Sequence, residues 1–359
     1  MRRHWQKKPL LIRAAMSDSH ALVDRATLFV LAADDAVESR LVQRDRERWS
    51  LRQGPFARRA LPALKAPHWT LLVQGADLHL EAAHRLLGSF RFVPDARLDD
   101  VMFSFATDGG GVGPHIDSYD VFLLQVSGRR RWRIGRSRNP RLRTDTPLKM
   151  LVDLEASHEW LLEPGDMLYL PPGWGHDGVA EGEAITASIG FRSAGRETLA
   201  IDVLQQVLDA VRVDAEEPRY ADPDQPATRR PARIPVALQR HADVAVKRLV
   251  DDRQARLCGL GQALSEPKPQ VWFESGAAAG PTVTAVRLDR RTRMLYDDRH
   301  VFINGESCRV SGSNAKIMRR LADRRRLGAV ELAALDPAAR DLIGRWRAAG
   351  WLHTESTET

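Results

Sequence analysis

The amino-acid sequence predicts an α+β fold that is built in three successive parts. Up to about residue 195, short apolar runs with polar residues at alternate positions are bounded by Gly and Pro, which is typical of strands. Residues 196–268 place apolar side chains at helical spacing, and two strand-like runs precede two predicted helices after residue 269. We therefore expect a strand-rich domain over residues 1–195, a helical region over 196–268 and a mixed C-terminal domain over 269–359.

A β-hairpin is predicted in the strand-rich domain. The apolar run Val121–Val126 leads into a Ser127-Gly128 turn, and Arg129–Ile134 follows as a second strand. A glycine-rich run, Gly109–Gly113, lies just upstream. The spacing thus predicts a strand, a tight turn and a second strand.

Three side chains near this hairpin form a candidate metal triad: His115, Asp117 and His176. Residues i and i+2 of a strand project from one face, so His115 and Asp117 can reach one ion, and His176 can close the set. Two histidines and one carboxylate leave coordination positions open, as in non-haem iron(II) oxygenases. The same ligands suit manganese, cobalt, nickel or zinc, and a lone histidine is more often packed or hydrogen-bonded than a ligand.

One arginine is predicted to point inward. Arg130 shares its strand parity with Trp132 and Ile134, whereas Arg129 and Arg131 have the opposite parity. An inward guanidinium requires an anion, and a carboxylate fits its two parallel donors. Either a dicarboxylate cosubstrate supplies that anion, or Arg130 pairs with a structural Asp or Glu.

Hydroxyl groups on two other predicted strands are further candidates for this pocket. Ser104 lies within Val101–Phe105, and Ser188 lies within Ile185–Phe191. Both can help to hold a carboxylate. A serine in a strand is nevertheless usually a small residue satisfied by the backbone or by water.

Six segments of the chain resemble the JmjC branch of the iron and 2-oxoglutarate oxygenases, and above all the bacterial ribosomal oxygenases. They are residues 5–13, 71–74, 98–105, 109–122, 128–133 and 163–173. The resemblance covers nearly the whole strand-rich domain and implies a double-stranded β-helix of the cupin or jelly-roll type. The family's members usually begin further upstream, so the first strand is the least well predicted element.

The resemblance also implies roles for the residues already named. The metal triad would hold iron(II), Arg130 would bind the distal carboxylate of 2-oxoglutarate, and Ser104 and Ser188 would line its pocket. The implied reaction is hydroxylation of an arginine at its β-carbon on large-subunit ribosomal protein sixteen, with formation of succinate and CO2.

Three residues are candidates for holding the substrate guanidinium. Asp108 precedes the glycine run and can offer a carboxylate at the mouth of the site, and Tyr119 and Asp120 are further candidates. An Asp before two glycines is also a good turn residue, so a purely structural role for Asp108 stays open.

The helical region is predicted to contain the dimerisation element. Apolar residues recur at helical spacing between Arg196 and Val213, and residues 235–264 give a second helical pattern after a linker rich in Pro, Asp and Arg. The resemblance favours a homodimer formed through these helices. The alternative is that they pack against their own barrel.

The C-terminal domain resembles a winged-helix fold. Val283–Leu288 and His300–Ile303 are strand-like, and helices are expected to begin near Asn314 and Pro337. Lys316–Arg326 is strongly basic, so nucleic-acid binding is possible. It is not favoured, because no aromatic-interleaved or base-reading pattern accompanies the arginines, which can simply form the solvated face of an amphipathic helix.

Composition limits the class of protein. With 359 residues, 43% of them hydrophobic, the chain is long enough for two or three domains. Its two cysteines support neither a disulfide framework nor a cysteine zinc site. No apolar run approaches the ~20 residues of a membrane helix, and the apolar stretch Pro9–Ile12 is too short for a signal peptide. We expect no membrane association and a cytoplasmic location.

Two functions from different classes are consistent with these patterns. The preferred one is a dimeric 2-oxoglutarate oxygenase acting on a ribosomal-protein arginine. The alternative is a non-catalytic, metal-binding cupin-like regulator that binds DNA through its C-terminal domain. The intact metal triad together with Arg130 favours the enzyme, because a retired site is expected to have lost at least one of these residues.

Overall fold

The computed structural model describes residues 1–136, 139–212, 216–275 and 285–355. The chain separates into two compact units, residues 1–193 and 194–359. The further division of the second unit near residue 268 stays a prediction. Over the described ranges, no helix is both long enough and apolar enough to cross a membrane.

The first unit consists mainly of strands. Its strands and α-helices, in chain order, are β1 (Leu10–Ile12), α1 (Arg25–Leu31), β2 (Ser39–Asp45), β3 (Arg48–Gln53), β4 (Trp69–Val73), α2 (Glu81–Gly88), β5 (Leu98–Ala106), β6 (His115–Ile116), β7 (Val121–Arg136), β8 (His158–Leu162), β9 (Met167–Leu170) and β10 (Trp174–Phe191).

Two long strands organise this unit. All pairings are antiparallel, in the order β1-β9-β7-β10-β5-β4-β2-β3, with β6 on β10 and β8 on β7. Strands β7 and β10, of 16 and 18 residues, pair along most of their lengths. The first half of β7 pairs with β9 and its second half with β8, so this long strand joins two groups of shorter strands in one sheet. This is the predicted double-stranded β-helix, and the α+β fold class is confirmed.

The predicted hairpin at residues 121–134 is wrong. Val121–Arg136 forms one continuous strand, because both of its halves pair with β10. Gly128 adopts a φ of 63° and approaches the Glu183 carbonyl so closely that a Cβ would lie 2.0 Å from the oxygen. Glycine therefore allows an irregularity in the ladder at this point rather than a reversal of the chain.

The large sheet has an apolar face and a cavity face. Leu71, Phe103 and Ile189 are fully buried in a core that also contains side chains of α1 and α2. Because strand residues alternate between faces, Leu72 and Met102 point the other way and line a cavity. Burial of the first face stabilises the sheet, and the second face is left available for a site.

The second unit begins with three helices, α3 (Arg196–Asp209), α4 (Val236–Asp251) and α5 (Arg253–Ser265). Val213, the predicted end of the first helical pattern, lies outside the described residues. The single helical pattern predicted over residues 235–264 is divided at Asp252, whose backbone is extended. The Asp252 carboxylate accepts a hydrogen bond from the Ala255 amide at 3.0 Å and so caps α5.

The remainder of the second unit is a winged helix, as predicted. Its elements are β11 (Ala285–Leu288), β12 (Met294–Tyr296), β13 (His300–Ile303), β14 (Glu306–Arg309), α6 (Gly312–Arg324), β15 (Arg326–Gly328), α7 (Ala329–Ala333), α8 (Pro337–Ala348) and β16 (Leu352–Thr354). Residues 283 and 284 of the first predicted strand lie outside the described residues. Met318, Leu321 and Trp346 are buried in one core between the helices and the strands.

Candidate active site

The structure brings the three residues of the metal triad together. His115 on β6 is the direct cross-strand partner of His176 on β10, and their ring centroids are 4.1 Å apart. The Asp117 Oδ2 atom lies 3.6 Å from His176 Nε2. One possible ligand atom from each residue falls within 4.8 Å of the others. Antiparallel pairing thus supplies two ligands, and the chain leaving β6 supplies the third.

Both histidine rings are held in a defined orientation. His115 Nδ1 lies 2.9 Å from the Gly113 carbonyl oxygen, and His176 Nδ1 lies 3.1 Å from that of Trp174. A carbonyl oxygen only accepts, so each Nδ1 carries the proton and donates it. The lone pair of each Nε2 is therefore left for a metal ion, in the arrangement usual for metal-binding histidines.

Burial sets the electrostatics of the triad. It raises the pKa of the Asp117 carboxyl above its ordinary value, and it lowers the pKa of His176 well below its ordinary value. His176 is therefore neutral at physiological pH, which is the form that binds metals. Two imidazoles and one carboxylate suit a divalent transition metal with open positions, so the donor set fits iron(II).

Arg130 meets the expectation for an inward-facing arginine. It is 4% exposed, and Nη1 donates to the Ser104 hydroxyl at 3.2 Å. Its Nε and Nη2 atoms are buried and have no hydrogen-bond partner among the described residues. No Asp or Glu forms an ion pair with it in this part of the chain, and burial lowers the pKa of its guanidinium to about 10. The unmatched donors fit the carboxylate of a bound anion.

One cavity of about 330 Å³ contains both features. Its wall includes the metal triad, Arg130, Ser104 and Ser188. Ser104 also donates to the Thr186 carbonyl at 3.4 Å, so its hydroxyl connects Arg130 to the neighbouring strand. The volume is at the lower end of the range for small-molecule sites and admits a dicarboxylate beside a metal ion.

Comparison with known proteins identifies both domains. Residues 85–199 match the model of the JmjC domain, and residues 281–353 match that of the ROXA-like winged helix. Residues 85–199 are therefore similar to the JmjC domain, and the chain is similar to ribosomal oxygenases.

Two curated relatives illustrate the similarity. The ribosomal protein uL16 3-hydroxylase of Escherichia coli (strain K12) is 38% identical over 235 residues, which cover 65% of this chain and 62% of the relative. The probable ribosomal oxygenase of Haemophilus influenzae is 33% identical over 196 residues, 54% of this chain and 48% of the relative. The chain thus matches about half to three-fifths of the length of these relatives.

Solved structures extend the likeness over both units. The structure of the E. coli ribosomal oxygenase YcfD matches 99% of this chain and 96% of its own, with a TM-score of 0.79 and 29% identity. A complex of YcfD with cobalt and 2-oxoglutarate matches 99% and 97%, with a TM-score of 0.81 and 28% identity. The likeness to these structures therefore covers both units of this chain.

The three predicted substrate residues occupy different positions relative to the cavity. Tyr119 lines the cavity, and burial, together with the nearby Asp117 carboxylate, raises the pKa of its phenol. Asp108 lies outside the cavity wall, in the turn after β5, where its carboxylate accepts a hydrogen bond from the Gly182 amide at 2.8 Å. A turn-bracing role for Asp108 is therefore present in the structure, and its role in substrate binding stays a prediction.

The substrate role predicted for Asp120 is wrong. Its side chain is completely buried and lies outside the cavity wall. The carboxylate accepts hydrogen bonds from the Tyr169 hydroxyl at 2.6 Å, Gln6 Nε2 at 3.0 Å and Arg97 Nη2 at 3.3 Å. These three partners come from distant segments of the chain, so Asp120 ties the barrel together and has no surface to offer a substrate.

Several cavity residues were not predicted from the sequence. Arg40, Gln74, Asp99 and Asp100 all line the wall, and Arg40 Nη2 donates to Gln74 Oε1 at 2.7 Å. Strand alternation could have indicated Arg40, because it lies on the same strand face as Val42, which is buried. Without knowing which face of β2 meets the cavity, that parity could not distinguish a wall residue from a surface residue.

Proposed function

We propose that this chain is an iron(II)- and 2-oxoglutarate-dependent oxygenase that hydroxylates the β-carbon of an arginine on ribosomal protein uL16. The observation that carries the proposal is the shared cavity, in which a three-ligand metal cluster lies beside a buried arginine with unmatched donors. The substrate is taken from the relative that is named a uL16 3-hydroxylase, and the cosubstrate from the structure of YcfD with cobalt and 2-oxoglutarate.

The metal triad would hold the iron. His115 and His176 would bind through Nε2 and Asp117 through a carboxylate oxygen, which leaves other coordination positions open. Bound iron(II) would supply the oxidation, in which dioxygen, 2-oxoglutarate and the substrate arginine give succinate, CO2 and the hydroxylated arginine. The protein contributes fixed imidazole orientation and a cavity that excludes bulk water.

The cosubstrate would be held at its distal carboxylate. Arg130 would donate from Nε and Nη2, while Ser104 keeps Nη1 in place. Ser188, on the cavity face of β10, would complete the polar side of this pocket. A charge-assisted pair of this kind is strong because the guanidinium is already desolvated.

The substrate arginine would enter from the side that carries Tyr119. Asp99 and Asp100 line the same cavity, and Asp99 also pairs with Arg192 at 3.7 Å, so a substrate guanidinium would share that carboxylate with Arg192. The Tyr119 phenol is neutral at physiological pH and burial raises its pKa further, so it can donate a hydrogen bond without adding a negative charge beside Asp117.

The alternative of a DNA-binding regulator receives less support. Arg320 pairs with Glu331 at 2.7 Å, and Arg326 pairs with Glu355 at 2.6 Å. Arg319 lies over the Tyr296 ring and donates to the Asp298 carbonyl. The arginines of α6 and β15 are thus engaged within their own unit, and binding DNA would require several of these contacts to break.

A homodimer formed through the helical region is part of this proposal. No side chain of α4 is buried, although Leu238, Val246 and Val250 lie at intervals that bring them near one another on its surface. An apolar helix surface of this kind is typical of an interface. A ribosomal substrate implies a cytoplasmic location for the protein.

The proposal is tested by measuring succinate formation from 2-oxoglutarate with and without a uL16 fragment. The purified chain with iron(II) and oxygen is expected to release succinate that is stimulated by the fragment, and His176→Ala is expected to abolish it. His158→Ala, which removes an exposed histidine, is the matched control. Absence of turnover in a chain that binds iron would favour the regulator.

A further inference from the structure

The first unit has an exposed basic surface that the proposed reaction does not use. It consists of Arg46, Arg48, Arg52, Arg58, Arg59 and Lys65, all of them exposed, and we call it the hairpin patch. Residues 46–65 contain these six basic residues and a single acidic one, Glu47, so the segment contributes +5 to a chain whose net charge is +7. Most of the excess positive charge of the molecule is therefore concentrated in twenty residues.

The charges of the hairpin patch are not neutralised within the protein. None of its six side chains forms an ion pair with a carboxylate among the described residues. Asp45 lies opposite Arg48 in the β2–β3 ladder, and Glu47 lies in the turn, yet neither forms an ion pair with a residue of the patch in this part of the chain. Uncompensated like charges repel one another and persist where an external anion offsets them.

The local structure holds several of these cations in place. Arg48 and Arg52 share one face of β3, because their positions differ by an even number. The Arg52 guanidinium lies 5.4 Å from the Phe56 ring centroid and contacts the Ala60 carbonyl, next to Arg59. Arg58 lies 5.0 Å from the Phe29 ring centroid. Stacked guanidiniums are partly ordered before any partner arrives.

The hairpin patch and the proposed active site share one edge of the sheet. Val42 and Leu51, which pair with each other across β2 and β3, line the active-site cavity. Strand β3 is also the last strand of the sheet, so no further strand covers it in the described part of the chain. Arg48 and Arg52 have the opposite parity to Leu51, so a partner bound to the patch would lie on the other face of this edge strand from the cavity.

We propose that the hairpin patch binds the phosphate backbone of RNA. Five of its six residues are arginines, whose donors match phosphate oxygens in pairs. No large apolar side chain is exposed in residues 46–65, which argues against a membrane surface or an apolar protein interface. The choice of RNA over another polyanion rests on the proposed ribosomal substrate, which would then be met close to RNA.

A charge-matched pair of variants tests this inference. The patch variant carries Arg46→Gln, Arg48→Gln, Arg59→Gln and Lys65→Gln, four residues whose side chains make no ion pair among the described residues. The control variant carries Arg85→Gln, Arg309→Gln, Lys316→Gln and Arg340→Gln, which are likewise exposed and without an ion pair in the described ranges. Both variants lose four positive charges, so a difference in their RNA affinity depends on where those charges lie.

The measurement is fluorescence anisotropy of a labelled RNA hairpin titrated with the full-length chain at several salt concentrations. We expect the patch variant to bind at least about tenfold more weakly and to lower the slope of log affinity against log salt by about 3, since each of its four lost phosphate contacts removes roughly 0.7 to 0.9. The control variant is expected to stay within about twofold of the parent.

Two outcomes would overturn the inference. Equal weakening by both variants would assign binding to net charge or to the winged helix, where three of the control substitutions lie, and not to the hairpin patch. Unchanged RNA affinity in the patch variant, combined with weaker binding of uL16 itself, would make the hairpin patch a protein-docking surface. Hydroxylation of a free uL16 fragment by the parent is measured in parallel. Its absence would count against the proposed oxygenase, whereas the RNA affinities of the two variants test the hairpin patch independently of turnover.

Discussion

At the scale of single residues, the candidate ligands and the inward-facing arginine could be predicted from the sequence, whereas the hydrogen-bond partners from distant segments could not. The parity of Arg130 with Trp132 and Ile134 predicted its inward direction correctly, even though the surrounding hairpin was wrong. The irregularity at Gly128 lies before all three residues, so the alternation after it is undisturbed. Asp120 was misjudged because Gln6, Arg97 and Tyr169, which bury it, are far away in sequence.

Arg130→Gln is expected to weaken the use of 2-oxoglutarate. Loss of a buried charge-assisted contact costs about 1.5–3 kcal/mol, so the KM for 2-oxoglutarate is expected to rise roughly 10- to 100-fold. The measurement is succinate release against 2-oxoglutarate concentration. Arg131→Gln is the control, because that side chain has the opposite parity and pairs with Glu181 and Glu159. A KM unchanged in Arg130→Gln would remove this residue from the cosubstrate pocket.

At the scale of elements, periodicity predicted the type of structure better than its limits. The strand Val121–Arg136 was divided wrongly, because a Ser-Gly pair suggests a turn whether the chain reverses or bulges. The sequence predicted one helical segment over residues 235–264. The structure has two helices there, and Asp252 caps the second. In both cases the pairing or capping partner decides the outcome, and neighbouring residues do not reveal it.

The exposed helix α4 gives a test of the proposed dimer. Val246 is 58% exposed, and Val246→Glu places a charge among the apolar side chains of that surface. A buried unpaired carboxylate is costly, so the variant is expected to be monomeric by light scattering at concentrations where the parent is dimeric. Val330→Glu, at an 84% exposed position of α7, is expected to leave the mass unchanged. Equal masses for Val246→Glu and the parent would contradict this interface.

A charged cluster at the end of β11 makes the winged helix sensitive to acid. Burial raises the pKa of the Asp289 carboxyl, but hydrogen bonds from Arg291 and His353 outweigh burial and lower that pKa to about 2. The folded pKa therefore lies below the ordinary value of 3.8. It follows that the carboxylate stabilises the fold above about pH 4, and that this contribution is lost as the pH falls towards 2.

Asp289→Asn is accordingly expected to lower the free energy of unfolding by about 2 kcal/mol at neutral pH. The difference from the parent should shrink below about pH 4, as the parent's own carboxylate becomes protonated. Chemical denaturation across pH provides the measurement. Asp341→Asn, which removes an exposed partner of Arg345, should change little at any pH. A difference that stayed constant down to pH 2 would show that ionisation of Asp289 is not what stabilises the unit.

At the scale of the whole molecule, the sequence predicted the order of the parts: a barrel, a helical region and a winged helix. The barrel was predicted through the resemblance of its segments to the JmjC oxygenases, and the winged helix through its pattern of strands and helices. The hairpin patch was not identified, because a count of charges along the chain does not show which arginines have partners. The arginines of α6 and β15 attracted attention as a basic run, yet several of them pair within their own unit.

The most direct test of the central claim is tandem mass spectrometry of uL16 after incubation with this chain, iron(II), 2-oxoglutarate and oxygen. We expect one added oxygen on the β-carbon of an arginine, and none with His176→Ala. Oxidation that is equal in the two samples, or an unmodified protein despite stimulated succinate release, would contradict the proposal that this cavity hydroxylates a uL16 arginine.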